Sequence, residues 1–470
     1  MIDVVAGNRW DLLEPVPVDA FVPQRRVSLC VPVRDGGAAF EHLLTSLSVL
    51  RYPPALLEVV IVDDGSARPV ERPAGLDPAV EVVIVRREPS EGFGASAARN
   101  AAAAAATGEI VVFVDADMIV APDLLLAITR WFDTTDDAVV LGSIRFVASD
   151  VADGIDLGRE LTDGDFGRRA DDARLVGQEW RADVAAATRQ FTIDDVDLYR
   201  MVTGAVLAVR RERFREIGGF REIAVRGIGD TEFGYRLMTN GAVLVPEAEA
   251  VAWHQGPATL RGRGAARADT DRRPVLASLV PIDRNRPPRP DPVAADLPVV
   301  AVAAVHIVGD IDDTAVVAAV ERIRAIDGSD VVVDVVGGPA APDTFSAEFA
   351  QVWAPPDVAW GAGTLVRILE QLSTPGVDVV RVEGQGRGDL VAATTRALRR
   401  HRSTPDPIVA AEATGRRHLA AAALDLTRLG DGAAPTLGLG SRIRSRFEWW
   451  SRSLGRLGEA ERGRRTTERK

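Results

Sequence analysis

Short, continuously apolar runs rich in β-branched residues recur along the first part of the chain: 27–33 (VSLCVPV), 58–63 (EVVIVD), 81–86 (EVVIVR) and 110–115 (IVVFVD). They lack the apolar–polar alternation of a strand with one wet face, so they predict strands buried on both faces. Helix-like segments lie between them, at 38–50 and in the alanine run 95–107, which stops at Gly108. Strands alternating with helices at this spacing predict an α/β fold, a parallel sheet covered by helices on both sides. Ligands of such sheets bind beyond the carboxyl ends of the strands. Asp63–Asp64 and Asp115–Asp117 therefore fall on one edge, facing one crevice.

The pattern becomes more polar and irregular over 140–200. Apolar order returns at 201–210 (MVTGAVLAVR), with helices expected at 211–217 and 230–240 and strands at 242–245 and 250–254. These elements close a first domain over residues 1–275. Residues 276–298 hold Pro281, Pro287, Pro288, Pro290, Pro292 and Pro298 among Arg and Asp, a linker by composition. A smaller α/β pattern occupies 299–435, with strands at 299–308, 329–336 and 377–383 and helices near 313–326 and 388–401. It shows no carboxylate pair after an apolar strand and reads as an accessory, degenerate module. In the Arg-rich tail 436–470, Ile443, Phe447, Trp450, Leu454 and Leu457 recur at helical spacing and form one apolar stripe. That stripe has two readings: packing onto the protein itself or a partner or homo-oligomer contact, which is the commoner case, or a peripheral seat on an anionic membrane at the inner face of the cell membrane.

Composition narrows this picture little, but charge does. A net charge of −12 argues against a nucleic-acid partner, which needs a dominant basic surface. Cys30 is the single cysteine, so no disulfide forms within the chain; with no signal-peptide pattern and no apolar stretch of membrane-spanning length, a cytoplasmic setting is expected.

The chemistry concentrates in the first domain. Asp115-Ala116-Asp117 follows the strand IVVFV, and two carboxylates spaced so can offer hard oxygen ligands to Mg2+ or Mn2+. Such a pair also occurs as a solvated turn. Asp63-Asp64-Gly65-Ser66 follows another buried strand and can accept from a base or ribose, or can simply begin a turn. The segment from Glu91 to Asn100 (EGFGASAARN) opens the alanine helix, where glycines and helix amides suit phosphate.

Taken in order, VSLCVPVRD, EVVIVDDGS and GFGASAARNAAAAAATGEIVVFVDADM resemble the nucleotide-binding half of the family 2 glycosyltransferases, which have the GT-A fold. Downstream, 218–220 (GGF), 227–238 (GIGDTEFGYRLM) and Ala252-Trp253-His254-Gln255 resemble that family's acceptor half. The likeness is nearest to bacterial polysaccharide polymerases and members with galactosyltransferase-type C-terminal motifs, and it covers about residues 25 to 260.

The resemblance implies a mixed sheet with helices on both faces that binds a nucleotide sugar. It implies a hexosyltransferase-type enzyme using Mn2+ or Mg2+ and a nucleotide diphosphate sugar, with a UDP-sugar the first candidate. Asp63 and Asp64 would contact the nucleoside, and Arg99 and Asn100 would support the donor site. Pro32, Gly94 and Ala116 lie in the matching motifs and would line the same site. Asp115 and Asp117 would be the D-x-D pair, with Asp117 the firmer metal ligand and His254 completing the shell. Asp230 stands where inverting members keep their catalytic base; Glu232 is the lesser candidate.

Chemistry asks for such a base independently, since displacement at the anomeric carbon requires a carboxylate to take the acceptor's proton. The bland alternatives are a helix N-cap for Asp230 and a core histidine beside Trp253 for His254. One position departs from the family: Gly229 stands where a Glu usually precedes the base. The acceptor stays open among carbohydrate, lipid-linked, peptide and natural-product types. A retaining outcome is the runner-up within the class. An impaired nucleotide-sugar-binding or scaffold protein is the alternative outside it. A dinucleotide-dependent oxidoreductase is disfavoured, because VPVRDGG replaces the G-x-G-x-x-G turn after the first strand.

Overall fold

The computed structural model describes residues 5–257, except 6, 89–93, 176–178, 194–195 and 224–226, together with 275–276, 279–280, 303–308, 331–336, 350–354, 379–382, 390–394 and positions 368, 372 and 398. The elements of the first part run β1 (Val27–Val33), α1 (Gly37–Leu47), β2 (Leu57–Asp63), β3 (Glu81–Arg86), α2 (Ala95–Ala105), β4 (Ile110–Val114), β5 (Met118–Val120) and α3 (Leu124–Thr129). There follow β6 (Ala138–Val147), α4 (Leu157–Asp163), α5 (Phe166–Asp172), α6 (Glu179–Ala187), β7 (Val206–Arg210), α7 (Arg211–Glu216), α8 (Gly229–Thr239) and β8 (Val243–Gln255).

The eight strands form one sheet in the order β3-β2-β1-β4-β7-β6-β8-β5. The strands β3, β2, β1 and β4 are mutually parallel, as their continuous apolar runs predict. β7 enters antiparallel between β4 and β6, and β5 pairs antiparallel with β8, so the sheet as a whole is mixed.

Both faces of the sheet are buried at its centre, whereas β3, expected to be buried too, is half-exposed because it lies at the edge. On one, Leu29, Val31, Val59, Ile61 and Val112 pack with Phe40, Leu43 and Leu47 of α1 and with Leu124, Leu125 and Ile128 of α3. On the other, Cys30, Val60, Val62, Val111 and Phe113 meet Ala98 and Ala102 of α2, Phe214 of α7 and Phe233 and Leu237 of α8. The alanines let α2 lie close to the sheet, where larger side chains would hold it off. Cys30 is fully buried, and burial and then the charge of Glu58 push its thiol well above the ordinary range.

Two expectations change here. The stretch 140–200 is more ordered than its polarity implies, holding most of β6 and three helices, α4 to α6. The separate strands expected at 242–245 and 250–254 are one 13-residue strand, β8. Its middle looks polar because Glu247 is buried for a partner: it accepts from Arg130 Nη2 at 2.8 Å and Trp131 Nε1 at 2.5 Å. A register shift between Gly142 and Ser143 of β6 absorbs the extra residues.

The later described segments form a five-stranded sheet of β9 (Ala303–Val308), β10 (Val331–Val336), β11 (Ala350–Ala354), β12 (Val379–Val382) and β13 (Leu390–Thr394), in the order β10-β9-β11-β13-β12. β13 corrects the first part of the helix expected near 388–401, within which Leu398 is helical. Leu390-Val-Ala-Ala-Thr394 is buried along its length between two antiparallel neighbours, β11 and β12, where the small alanines fit. The helix near 313–326, nearly all of the linker 276–298 and the whole tail 436–470 lie outside the described residues. Among the described residues no helix is long and apolar enough to cross a membrane.

Candidate functional site

The parallel strands β1, β2 and β4 end on one edge, and the acidic motifs follow there. Asp63 closes β2 in register with Val33 of β1 and Arg86 of β3. Its side chain is sealed: Oδ1 accepts from the Ser66 amide at 2.7 Å, and Oδ2 from the Val70 amide at 3.2 Å and Arg86 Nη1 at 2.5 Å. Burial alone would raise this carboxyl, but these donors outweigh it and hold Asp63 below the usual carboxylate range. Asp63 is thus a clamp for the turn that follows β2. Asp64 lies one step further out, with its amide on Val33 O at 2.9 Å and its carboxylate on Arg87 Nη1 at 2.7 Å. Pro32 sits in β1 beside Val62, and Gly94 is the residue before the first turn of α2.

The turn Asp115-Ala116-Asp117 leads from β4 into β5. Antiparallel pairing of β5 with β8 sets Met118 opposite His254. That register brings His254 Nε2 to 3.3 Å from Asp117 Oδ2. The other ring nitrogen, Nδ1, lies 3.3 Å from Gly256 O, and Phe146 lies against the ring at 4.8 Å. Gln255 fixes the turn from behind: its amide and Nε2 donate to Asp117 O at 3.0 and 3.2 Å, and its Oε1 meets His42 Nδ1 of α1 at 2.7 Å. Ala116 is half-buried against the core.

Asp115 turns the other way, to Arg99. This arginine of α2 is buried, and its guanidinium joins two carboxylates: Nη2 donates to Asp115 Oδ1 at 2.6 Å and Nη1 to Asp230 Oδ1 at 3.1 Å. Burial would weaken its charge, yet Asp115, Asp230 and Asp117 together raise its pKa above the ordinary value. The Phe220 ring lies 5.5 Å from the guanidinium carbon. Space for the group depends on Gly204, where a Cβ would overlap the Arg99 guanidinium.

Asp230 is the second residue of α8, one place inside the helix whose N-cap is Ile228. It is therefore not the cap itself, although its charge suits the first turn. About a third of its side chain is exposed (31%). Glu232, two residues on, is buried and held by Arg236 Nε at 2.6 Å and by Arg221 at 2.7 Å, so it has a structural post. Gly229 has a packing reason: a Cβ there would run into Ser96 Oγ, where α8 and α2 start side by side.

The geometry thus joins Asp115, Asp117, Arg99, Asp230 and His254 in one cluster. Asn100 stands apart from the crevice chemistry. Its Nδ2 donates to Phe220 O at 2.8 Å and its Oδ1 accepts the Phe220 amide at 2.8 Å, so it clamps the Gly218-Gly219-Phe220 loop. Sequence reading missed Arg86, Arg87 and Gln255 as partners of the acidic motifs. Only the strand register reveals the first, and Gln255 was hidden beside the more conspicuous His254. Among the described residues no group of three or more His, Cys, Asp or Glu side chains is arranged to hold a metal by itself. Asp117 and His254 form a pair, and that fits a cation such as Mg2+ or Mn2+ whose remaining positions go to phosphate oxygens and water.

Residues 28–172 match the family described as Glycosyl transferase family 2. The chain is 28% identical over 237 residues to the pre-mycofactocin glycosyltransferase of Mycobacterium tuberculosis, covering 50% of this chain and 44% of that protein. It is 28% identical over 273 residues to the O-antigen biosynthesis protein RfbC of Myxococcus xanthus, covering 56% of this chain and 20% of that one. The match thus spans less than half the length of either relative. Among solved structures, a mannosyltransferase from Pyrobaculum calidifontis in complex with GDP-Man and Mn2+ aligns with a TM-score of 0.39 and 21% identity, over 60% of this chain and 70% of that one.

Proposed function

We propose, from the match of residues 28–172 to the Glycosyl transferase family 2 model, that this chain transfers a sugar from a nucleotide diphosphate sugar to an acceptor nucleophile, with Asp230 as the base. The observation that carries the reading is the shared guanidinium: Arg99 binds Asp115 and Asp230 at once, so the D-x-D turn and the base border one crevice.

A divalent cation held by Asp117 and His254 would neutralise the diphosphate as it leaves. The chain's own residues do the rest. Gln255 and the β5–β8 pairing keep the Asp117 turn in place. Arg99 orients Asp115 and Asp230 and keeps a positive charge beside both. Asp230, part-exposed at the start of α8, accepts the proton of the acceptor hydroxyl as the new glycosidic bond forms. In-line displacement with such a base inverts the anomeric centre. Asp63 and Asp64, held by Arg86 and Arg87, shape the floor on which the nucleoside rests, with Asp64 the better placed to touch it.

The scaffold alternative rests on Gly229, and the close approach of Ser96 supplies that glycine with a packing reason that is independent of turnover. The test is thermal unfolding of the full chain with UDP, GDP, UDP-glucose and GDP-mannose, each with and without Mn2+, followed by product analysis with the stabilising donor. Stabilisation that needs both nucleotide and Mn2+ is expected. No stabilisation by any of the nucleotide–metal pairs would overturn the reading.

A further inference from the structure

Strand β5 closes one edge of the eight-stranded sheet, and among the described strands it pairs with β8 alone. It is only Met118–Val120, so it offers few pairing groups to steady the Asp117 turn that precedes it. Helix α1 supplies further support. Ala39, His42 and Ser46 recur at helical spacing and share one face of α1. At the far end of β5, the Ser46 hydroxyl accepts the Val120 amide at 3.2 Å. At the near end, Ala39 and His42 reach the Asp117 turn through the side chain of Gln255.

Gln255 is buried, and its contacts fix which end of its amide faces which neighbour. Ala39 O and Asp117 O are carbonyl oxygens and can only accept. The Gln255 amide nitrogen therefore faces both, donating at 3.0 and 3.2 Å. Its oxygen is left for His42, whose Nδ1 lies 2.7 Å away. An amide oxygen cannot donate, so the proton of this bond sits on Nδ1. Without that donor the buried Oε1 has no partner, and nothing holds the amide with its nitrogen on the Asp117 carbonyl. The His42 ring is half-buried and borders a cleft of about 590 Å³ that Thr45, Asp153 and Asp156 also line. That open side lets the ring be exchanged without displacing the core.

Resting on the sugar-transfer reading, in which Asp117 and His254 hold the cation, we infer that His42 is a positioning residue for the metal turn. Its Nδ1–H fixes the Gln255 amide, the amide holds the Asp117 carbonyl, and the Asp117 carboxylate is thereby kept facing His254 Nε2 at 3.3 Å. His42 acts through Gln255 and not on the cation itself. Groups at this remove set how well the ligands they orient bind a metal.

Two measurements on the full chain test this. Long-range proton–nitrogen correlation NMR in mildly alkaline solution reads which ring nitrogen of His42 carries the proton, with His42→Asn identifying the signal. The proton is expected on Nδ1, against the Nε2 preference of free histidine. Mn2+ titration of nucleotide binding, with UDP or GDP, whichever the wild type takes up, reads the turn. His42→Leu should raise the Mn2+ concentration for half-maximal binding by about tenfold. His42→Asn, whose amide can donate from near the Nδ1 position, should stay within about threefold of wild type. A role in stability alone would lower the melting temperature of His42→Leu and leave its Mn2+ requirement unchanged, and that result overturns the inference. So does a proton on Nε2, or a His42→Asn that needs as much Mn2+ as His42→Leu. A wild type that takes up neither UDP nor GDP with Mn2+ overturns the transfer reading instead, whichever nitrogen holds the proton, and the positioning role falls with it.

Discussion

Replacing Arg99 by Met removes a buried cation while keeping much of its volume. The wild-type guanidinium makes charge-assisted bonds at 2.6 Å to Asp115 and 3.1 Å to Asp230. Each such bond contributes about 1.5–3 kcal/mol. Both carboxylates keep 31% of their side-chain surface exposed, so water recovers part of the loss. The net cost expected is about 2–4 kcal/mol. For a domain of this size that lowers the melting temperature by roughly 5–15 °C. Arg99→Lys should recover part of this, since one ammonium keeps the charge but cannot span both carboxylates. Differential scanning calorimetry of wild type, Arg99→Met and Arg99→Lys reads the stability directly. Mn2+-dependent nucleotide binding, measured below the lowest melting point, reads the site. If Arg99→Met melts with wild type, the two carboxylates do not lean on this arginine, and the account of the shared cation is wrong.

Three further outcomes are expected. Asp230→Asn should lower transfer by about 10²–10⁴-fold with nucleotide binding retained, whereas Glu232→Ala should cost stability of about 3–5 kcal/mol by leaving buried Arg236 without its carboxylate; kinetics and urea unfolding separate the two. Gln255→Ala, which frees the Asp117 turn, should raise the Mn2+ concentration for half-maximal nucleotide binding by about tenfold or more, and His254→Ala should raise it further, both read by Mn2+ titration. Asp63 ionises at lower pH in the folded than in the unfolded chain, so its stabilisation is present above about pH 4 and is lost as pH falls through the folded value. Urea unfolding between pH 6 and 3 should show a shallower acid decline for Asp63→Asn, and parallel declines for the two proteins would refute this.

What was legible in the sequence depended on how local its cause was. Strands β1, β2 and β4 announce themselves because burial on both faces demands unbroken apolar runs, whereas β3, equally apolar in sequence, lies half-exposed at the sheet edge; Asp115 and Asp117 are visible because they follow one of the buried strands. Strand β8 was obscured because Glu247 is polar in composition yet buried by partners, Arg130 and Trp131, far away in sequence. β13 was mistaken because alanine and threonine between tight neighbours look helical when the neighbours are unknown. The site followed the same rule. That Asp63 also clamps the turn after β2 became visible only through its register with Arg86. The hold of Asn100 on the Phe220 backbone became visible only across the loop. Arg99 was visible as a motif residue, but its bridging of Asp115 to Asp230 needs the two to meet in space.

The pairing of β5 with β8 also governs when the site can exist. Gln255 reaches the Asp117 carbonyl across 138 positions of chain. At a synthesis rate of about 5–20 residues per second, a growing chain carries its D-x-D turn for roughly ten seconds before its partners are made. During that interval β1, β2, β3 and β4 can already pair, while β5 still lacks the strand it joins. A ribosome-stalled chain ending before β8 would therefore hold a folded parallel half and no paired Asp117. The last strand of the eight-stranded sheet is thus a checkpoint, and the paired Asp117 turn exists only in chains that have passed it.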